Sequence, residues 1–419
     1  MDRVISVLRS NFQWVHGDAR IILAVRALRT FGQSTVVILL ALYLGALGLS
    51  LLQIGLVLSL DVAGTAVVAT GVTLVTSKTG RRRMLVALML VSAAASAVVG
   101  FVHLLPVLIL SIFMGNFTAG AGAGGPLQPL ELASLAEVAP DTRRTQLFAL
   151  NAMVGATATA LGALAAGLPA LLQHSFGMSE AAAYRPTFVI YALVQLLCAL
   201  LYNRLSIAVE GIAVERRFTN PLRLRSRDRI FALTGLFSLD HFAGSLIVQS
   251  LVAYWFNTKF GINVASISLV FFFSSILAAA SQWMAAKIAD RIGLVNTMVF
   301  THIPSSLFLV AAAFAPTALL AIVFWQLRSL LGQMDVPTRD SYTMAVVEPD
   351  ERVAMAGIHG VGRSIAGVIG PGLGTALWNW VAAAAPFVAC GALKITYALV
   401  LYSAFRKVKP PEESKLRVS

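Results

Sequence analysis

The sequence predicts an all-α membrane protein of twelve transmembrane helices in two pseudo-symmetric six-helix bundles. Three observations predict it: the composition, the count of long apolar runs, and an internal repeat. Of the 419 residues, 58% are hydrophobic and 12% charged, and the mean hydropathy is +0.80. Soluble domains carry about 45–50% apolar and about 25% charged residues. So few charges cannot cover a water-soluble surface around so much hydrocarbon. A soluble enzyme, a disordered chain and a nucleic-acid binder are thereby excluded. The net charge of +13 is instead read as basic loops on the cytoplasmic face of a membrane.

A membrane-crossing helix needs about 20 largely apolar residues. Twelve such runs are separated by charges or turn residues. Spans 1–6 fall at 21–47, 51–76, 84–103, 105–136, 145–172 and 186–205. Spans 7–12 fall at 229–256, 263–288, 295–315, 317–346, 353–380 and 384–405. Several exceed the minimum, which predicts tilt or kinks, and Pro126, Pro129 and Pro337 place kinks in spans 4 and 10. No period-2 alternation competes with these runs, so a β-barrel is not expected. Cys198 and Cys390 lie in apolar runs and read as buried thiols without a disulfide.

Lys and Arg set the orientation. With the N-terminus inside, the cytoplasmic loops and tails hold 24 basic residues, and the opposite loops hold two, Arg185 and Lys259. Both termini are therefore expected in the cytoplasm, in a multi-pass protein of the cytoplasmic (inner) membrane.

The repeat relates the halves at a nearly fixed offset. LGLSLLQIGL after span 1 aligns with FGINVASISL after span 7, placing Gly48 on Gly261, an offset of 213. Lys78 then falls on Arg291 and Gly80 on Gly293. Further on, AEVAPDTRR aligns with AVVEPDERV, placing Asp141 on Asp350 and Arg143 on Arg352 at an offset of 209. The organisation read from this is an N-terminal bundle, 1–206; a cytoplasmic linker, 207–228; and a C-terminal bundle with a basic tail, 229–419. Parallel repeats of this kind are a layout of secondary transporters.

The loop after span 2 reads TLVTSKTGRRR and the loop after span 8 reads AKIADRIG. With the twelve runs and the repeat, these carry a resemblance to the major facilitator superfamily over essentially the whole chain. The family's loop pattern, Gly-x-x-x-Asp-Arg-x-Gly-Arg-Arg, is matched by Lys78, Gly80, Arg81 and Arg82, with Ser77 where the family has Asp. The second copy keeps Asp290, Arg291 and Gly293. The family's Arg-x-x-x-Gly signature appears in span 10 as Arg328 and Gly332 rather than in span 4. A Gly-Pro run, GVIGPGLG, sits in span 11 rather than span 5.

The resemblance implies that the loop motifs are parts of a cytoplasmic gate: Ser77, Lys78, Gly80 and Arg81; Asp290, Arg291 and Gly293; and Asp141, Arg143, Asp350 and Arg352 at the starts of spans 5 and 11. A carboxylate there is favoured against a helix N-terminus. It also implies a central cavity lined by spans 1, 2, 4, 5, 7, 8, 10 and 11. Ionisable residues within spans are costly and mark functional or paired positions. Arg29, Asp61, Glu131, Asp240, Asp335, Arg339, Asp340 and Arg363 all lie on those spans, with His241 and His359 as hydrogen-bonding groups. The repeat places Glu131 on Asp340, so these two carboxylates are the expected proton-coupling pair. Arg29 is placed to pair with Glu131, and Arg363 with Asp335 or Asp340. Lys394 on span 12 has no evident partner. Neither a metal nor another cofactor is expected, because no spacing matches a metal signature.

The function expected is secondary active transport of a small organic solute by alternating access, proton-coupled, with efflux ahead of uptake. The alternatives are an organic-anion transporter or exchanger using Arg29, Arg339 and Arg363, and a non-transporting membrane sensor or scaffold. No nucleophile–base motif or phosphate loop points to an enzyme. The partners expected are the solute, the lipid bilayer and protons, with no nucleic acid, and the protein is expected to be a monomer.

The orientation is tested by single cysteines in intact cells. Modification by an impermeant maleimide is expected at position 259 and not at 217, and the reverse would overturn the charge argument.

Overall fold

A computed structural model describes residues 14–15, 17–102, 104–117, 125–140, 143–210, 224–348, 351–406 and 408. All regular structure among them is helical. The first half holds α1 (Gly17–Ala46), α2 (Leu51–Thr79), α3 (Arg81–Phe101), α4 (Leu105–Gly115), α5 (Gln128–Val138), α6 (Arg144–Ala165), α7 (Leu168–Phe176) and α8 (Glu180–Tyr202). The second holds α9 (Arg227–Ser245), α10 (Gln249–Phe260), α11 (Val264–Ile292), α12 (Leu294–Phe314), α13 (Ala318–Leu331), α14 (Asp335–Val346), α15 (Arg352–Trp380) and α16 (Ala385–Phe405). These fall on the twelve predicted spans, eight as single helices and four, spans 4, 5, 7 and 10, as two segments each. Nine helical stretches among the described residues are long and apolar enough to cross a membrane.

The excess length shows as long helices and as interruption. At 1.5 Å per residue, the 30 residues of α1 extend about 45 Å, against a hydrocarbon core of about 30 Å. Span 10 breaks at Gly332–Met334, ahead of Pro337, which lies in the first turn of α14. A proline there is tolerated because its missing N–H has no intrahelical acceptor. Span 4 is interrupted after Gly115, where Asn116 takes φ 54, a left-handed conformation that Asn tolerates better than most residues. The break is held from two other spans. Gln33 Nε2 donates to the Asn116 carbonyl at 3.2 Å, and Thr65 Oγ1 to Asn116 Oδ1 at 2.7 Å.

The glycine run of span 11 has a steric reason. A Cβ on Gly370 would lie 1.8 Å from Ser245 Oγ, and one on Gly374 would lie 2.0 Å from the Leu246 carbonyl oxygen. The run thus lets α15 close on the break between α9 and α10. Cys198 and Cys390 are buried free thiols.

The halves meet through spans 2 and 11, 5 and 8, and 1 and 7. The close approaches lie at the end away from the basic loops. Gly372 N donates to Ser59 Oγ at 2.9 Å. Cβ positions on Gly55, Gly45 and Gly167 would strike Thr375, Tyr254 and Ser268. At the other end spans 2 and 11 part: a Cβ on Gly71, Gly357 or Gly360 would have no heavy atom within 4 Å. One end of the molecule is shut and the end bearing the basic loops is open.

Cysteines at 59 and 372 should therefore crosslink readily under mild oxidant, whereas cysteines at 71 and 357 should not, since a disulfide needs Cβ atoms about 3.8 Å apart. The opposite pattern in the purified protein would mean that this state is not the populated one.

Candidate functional site

Two buried ionic clusters occupy the interior, one in each half. In the first, Arg29 from α1 forks onto Glu131 from α5, with Nε 3.0 Å from Oε1 and Nη2 2.8 Å from Oε2. Tyr202, the last residue of α8, donates its hydroxyl to Glu131 Oε1 at 2.5 Å. Arg26, one helical turn before Arg29, places Nη1 3.8 Å from Oε2. Arg29 is 1% exposed and Glu131 3%, so water cannot screen the pair. The bidentate fork fixes geometry as well as charge. A cavity of about 100 Å³ adjoins the cluster, lined by Arg29, Gln33, Ser92, Asn116 and Gln195 among others. The rest of its lining is mainly apolar, from Val68, Leu88, Val91, Met114 and Leu127.

In the second half, Asp240 from α9 is the hub. Lys394 Nζ from α16 lies 2.6 Å from its Oδ1, and Arg339 Nη1 from α14 lies 3.2 Å from its Oδ2. His302 Nε2 from α12 lies 3.1 Å from Oδ1. The same Arg339 nitrogen is 3.4 Å from Asp335 Oδ2, and His302 Nδ1 is 3.8 Å from that oxygen. This joins spans 7, 9, 10 and 12 around two carboxylates.

The remaining residues named from sequence are placed as follows. Asp61 is fully buried, and its Oδ1 accepts from Phe117 N at 3.0 Å, so it braces the interrupted span 4. Asp340 is exposed, unlike its repeat mate Glu131, because successive helix positions point about 100° apart and Arg339 takes the inward one. Asp335 is engaged by Arg339 and His302, and Arg363 is half-buried on α15. His241 packs against Gly367, and the His359 ring lies edge-on to Phe237 at 5.2 Å. Lys394, for which the sequence offered no partner, holds Asp240. Tyr202 and His302 were not expected. His302 carried a legible signal, an ionisable side chain within a span, whereas Tyr202 at a span end carried none.

Among the gate residues, Gly80 and Gly293 adopt φ 85 and φ 89, which only glycine takes readily. Lys78, Asp290, Arg291, Arg143 and Arg352 are exposed, and Arg143 lies over the Trp14 ring at 5.3 Å. The Ser77 side chain, Asp141 and Asp350 lie outside the described residues. Where the first loop lacks its acid, the linker supplies one. Glu210 accepts from the backbone N–H of Arg81 and, at 3.2 Å, of Arg82, capping the N-terminus of α3. Arg81 also reaches Glu137 at 3.2 Å.

A partly open pocket of about 840 Å³ lies apart from both clusters, between spans 1, 5 and 6 and the start of span 8. Phe31, Thr35, Leu168, Thr187 and Tyr191 are among its mainly apolar lining.

Two repeated half-bundles, shut at one end and holding ionic clusters within the membrane, define a polytopic membrane protein of the transporter type. The chain belongs to the Major Facilitator Superfamily, whose profile matches residues 22–254 and again 230–418. It is 24% identical to a membrane protein of Saccharomyces cerevisiae, the uncharacterized YJR124C, over 94% of this chain and 95% of that one. Among solved structures it resembles a D-xylose–proton symporter, with TM-score 0.71 at 14% identity over 94% and 98% of the two chains. It also resembles the nucleoside transporter NupG, with TM-score 0.70 at 14% identity over 93% and 98%. At such identities the likeness is one of fold.

One contact outside the spans titrates predictably. Glu351, before α15, accepts from the backbone N–H of Arg225 and of Ser226, the latter at 2.9 Å, at the start of α9. Burial alone would raise its carboxyl, but the hydrogen bonds from Ser226 and Arg225 outweigh it and hold the group below the usual range. A folded-state value below the unfolded one of about 4.3 stabilises above that pH and is lost as pH falls through the folded value. Glu351→Gln is expected to lower the melting temperature at pH 7, with the difference closing as pH falls below the usual carboxylate range. A difference independent of pH would show that the carboxylate charge contributes nothing.

Proposed function

We propose that this protein is a proton-driven secondary transporter that exports a small organic solute across the cytoplasmic membrane by alternating access, with both termini inside. The observation that carries this reading is Glu131. It is a carboxylate buried among spans 1, 4 and 6 and neutralised by a guanidinium from a different helix. Breaking a buried pair from one side typically costs about 3–5 kcal/mol, because a bare charge remains. When spans 1 and 4 shift relative to each other, Glu131 avoids that cost by taking a proton. When they return, Arg29 displaces it. Proton and Arg29 thus compete for one carboxylate, and the competition ties proton movement to helix movement. Asp340, exposed on α14 at the matching repeat position, is the second carboxylate in the relay. Support for alternation comes from the one-sided contacts between the halves. Export is favoured by the Gly-Pro run, which gives α15 a smooth surface against the break in span 7.

The residues of the open end complete the cycle. With that end closed, Lys78, Asp290 and Arg291 would meet the starts of spans 5 and 11 near Arg143 and Arg352. Their exposure here fits a state in which those contacts are released.

Glu131→Gln keeps the shape and the hydrogen-bonding groups but cannot titrate. In proteoliposomes it should reduce solute accumulation driven by a pH gradient at least tenfold, while solute exchange without a gradient continues. If gradient-driven accumulation persists with an unchanged pH profile, Glu131 is not the coupling carboxylate. Loss of the pH dependence in Asp340→Asn instead would assign the role to the second half.

A further inference from the structure

The pocket of about 840 Å³ lies beside the break in span 5, and ligand sites commonly have about 300–1,000 Å³. Ala165, Gly167 and Ala170 around that break carry little or no side chain, and Phe31 of α1 and Tyr191 of α8 wall the space beside them. One end is marked by His174 and Ser175 in the last turn of α7, and by Asn263, which caps α11 by accepting from Ser266 N at 2.8 Å. These residues stand at the shut end of the molecule. The other end is marked by Tyr191 and Val194. Tyr191 stands eleven residues after Glu180, the first residue of α8. At 1.5 Å per residue that is a depth of about 16 Å, and half the hydrocarbon core is about 15 Å. The pocket therefore runs the depth of one leaflet, from the interface to the midplane.

The lining decides the occupant. Polar groups at depth are engaged or covered. Thr35 Oγ1 donates to the Gly162 carbonyl at 2.8 Å, and the Tyr191 hydroxyl accepts from Gln195 Nε2 at 3.0 Å. The Thr187 hydroxyl oxygen is itself buried. Leu164, Leu171 and Ile190 line the pocket and are also exposed, so its mouth opens sideways between spans 5 and 6, onto lipid. Water gains little in such a space, since it needs two to four polar partners. A hydrocarbon chain gains contact. The hydrophobic effect does not drive it there, because lipid tails are as apolar as the walls. Dispersion does: wall atoms without partners on one side forfeit those contacts, and a chain laid along them restores them.

We infer that this pocket binds one acyl chain of a bilayer phospholipid from the leaflet at the shut end, with the chain terminus against Tyr191 and the headgroup beside His174, Ser175 and Asn263. The inference does not depend on proton coupling. It bears on alternation because the second half completes the site. Asn263 and Ala265 belong to span 8, and the rest of the lining belongs to spans 1, 5 and 6. Gly167, at the break, packs on span 8, where a Cβ would lie 2.9 Å from Ser268 Oγ. Parting spans 5 and 8 removes one wall of the pocket. A ligand that binds one arrangement better shifts the population toward it, so an acyl chain here holds that end shut. Tyr191 also lines the smaller cavity beside Arg29, so the chain terminus rests on the residue that divides the two spaces.

The test needs neither solute nor gradient. Full-length protein is placed in phosphatidylcholine vesicles doped with a phosphatidylcholine that carries a diazirine at the end of one chain. After illumination, mass spectrometry reads which residues are labelled. Tyr191 and Val194 are expected to be labelled at least fivefold more than Leu193 and Leu197, which are exposed on the same helix outside the pocket. Ile190→Trp narrows the mouth and should cut Tyr191 labelling at least fivefold, with Leu193 labelled as before. If that variant does not fold, Leu171→Trp on span 5 gives the same reading. Locking the shut end with cysteines at 59 and 372 should preserve Tyr191 labelling, and loss of labelling there would overturn the link to the shut state. Equal labelling inside and outside the pocket, or Tyr191 labelling that neither tryptophan reduces, overturns the site. Labelling of Tyr191 by a water-soluble diazirine alcohol but not by the phospholipid would overturn the lipid assignment and give the pocket to a small apolar solute.

Discussion

Hydrocarbon does not solvate charge, and the interior of this protein is arranged around that constraint. Its buried carboxylates at membrane depth are answered in different ways, Glu131 and Asp240 by cations on other helices and Asp61 by the Phe117 backbone N–H. Arg29 and Glu131 link spans 1 and 4, with Tyr202 drawing in span 6. Asp240 links spans 7, 10 and 12 through Arg339 and Lys394. These pairs cannot be judged as simple stabilisers, because desolvation consumes most of what the Coulomb attraction returns. What they supply is specification. A helix that carries half of a buried pair is held in one rotation and one depth, since any other leaves a bare charge in lipid.

A structure held this way can still move, provided that the moving surfaces carry little that must be repaired. The contacts between the halves meet that condition. They are made by Gly45, Gly55, Gly167 and Gly372 against Tyr254, Thr375, Ser268 and Ser59. Such contacts need no charge to be desolvated or exposed when they part. The ionic clusters lie within the halves and the smooth contacts between them. Rigid half-bundles that rock against each other follow from that division, and the interruptions in spans 4, 5, 7 and 10 offer sites where the bundles can bend.

Much of the fold was legible in the sequence because the forces that set it are local and additive. Apolar length defines a span, loop charge defines a side, and the 213 and 209 offsets join the two halves. The pairing of Arg29 with Glu131 was legible too, since both lie at similar depth on neighbouring spans. Depth on a helix can be counted, but facing direction across a bundle cannot, and that is where expectation and structure diverge. Asp340 shares a repeat position with Glu131, yet it is exposed while its neighbour Arg339 turns inward to Asp240 and Asp335. Lys394 and His302 lie on spans 12 and 9, and only the packing of span 12 against span 7, and of span 9 against spans 10 and 12, brings them to Asp240. Likewise the acid absent at Ser77 is supplied at the α3 terminus by Glu210, 133 positions later in the chain.

The halves have thus kept one backbone plan while their ionic interiors have diverged, and the divergence has a mechanical meaning. Glu131 is held by a planar fork whose two bonds must form or break together, so the first half has one carboxylate with two sharply different states, gripped or released. In the second half a single Arg339 nitrogen is divided between two acids, and Asp240 Oδ1 is divided between Lys394 and His302. Partners there can be exchanged one at a time, with no step that strips a carboxylate of every cation. The first half resembles a latch and the second a graded hold. Coupling between them must pass through the smooth contacts at the shut end and the loops at the open end, because no described ion pair crosses from one half to the other. On the proposed proton coupling, a proton bound in either half would influence the other by changing which of its spans present their glycine faces, and therefore by changing the shape of the cleft between them.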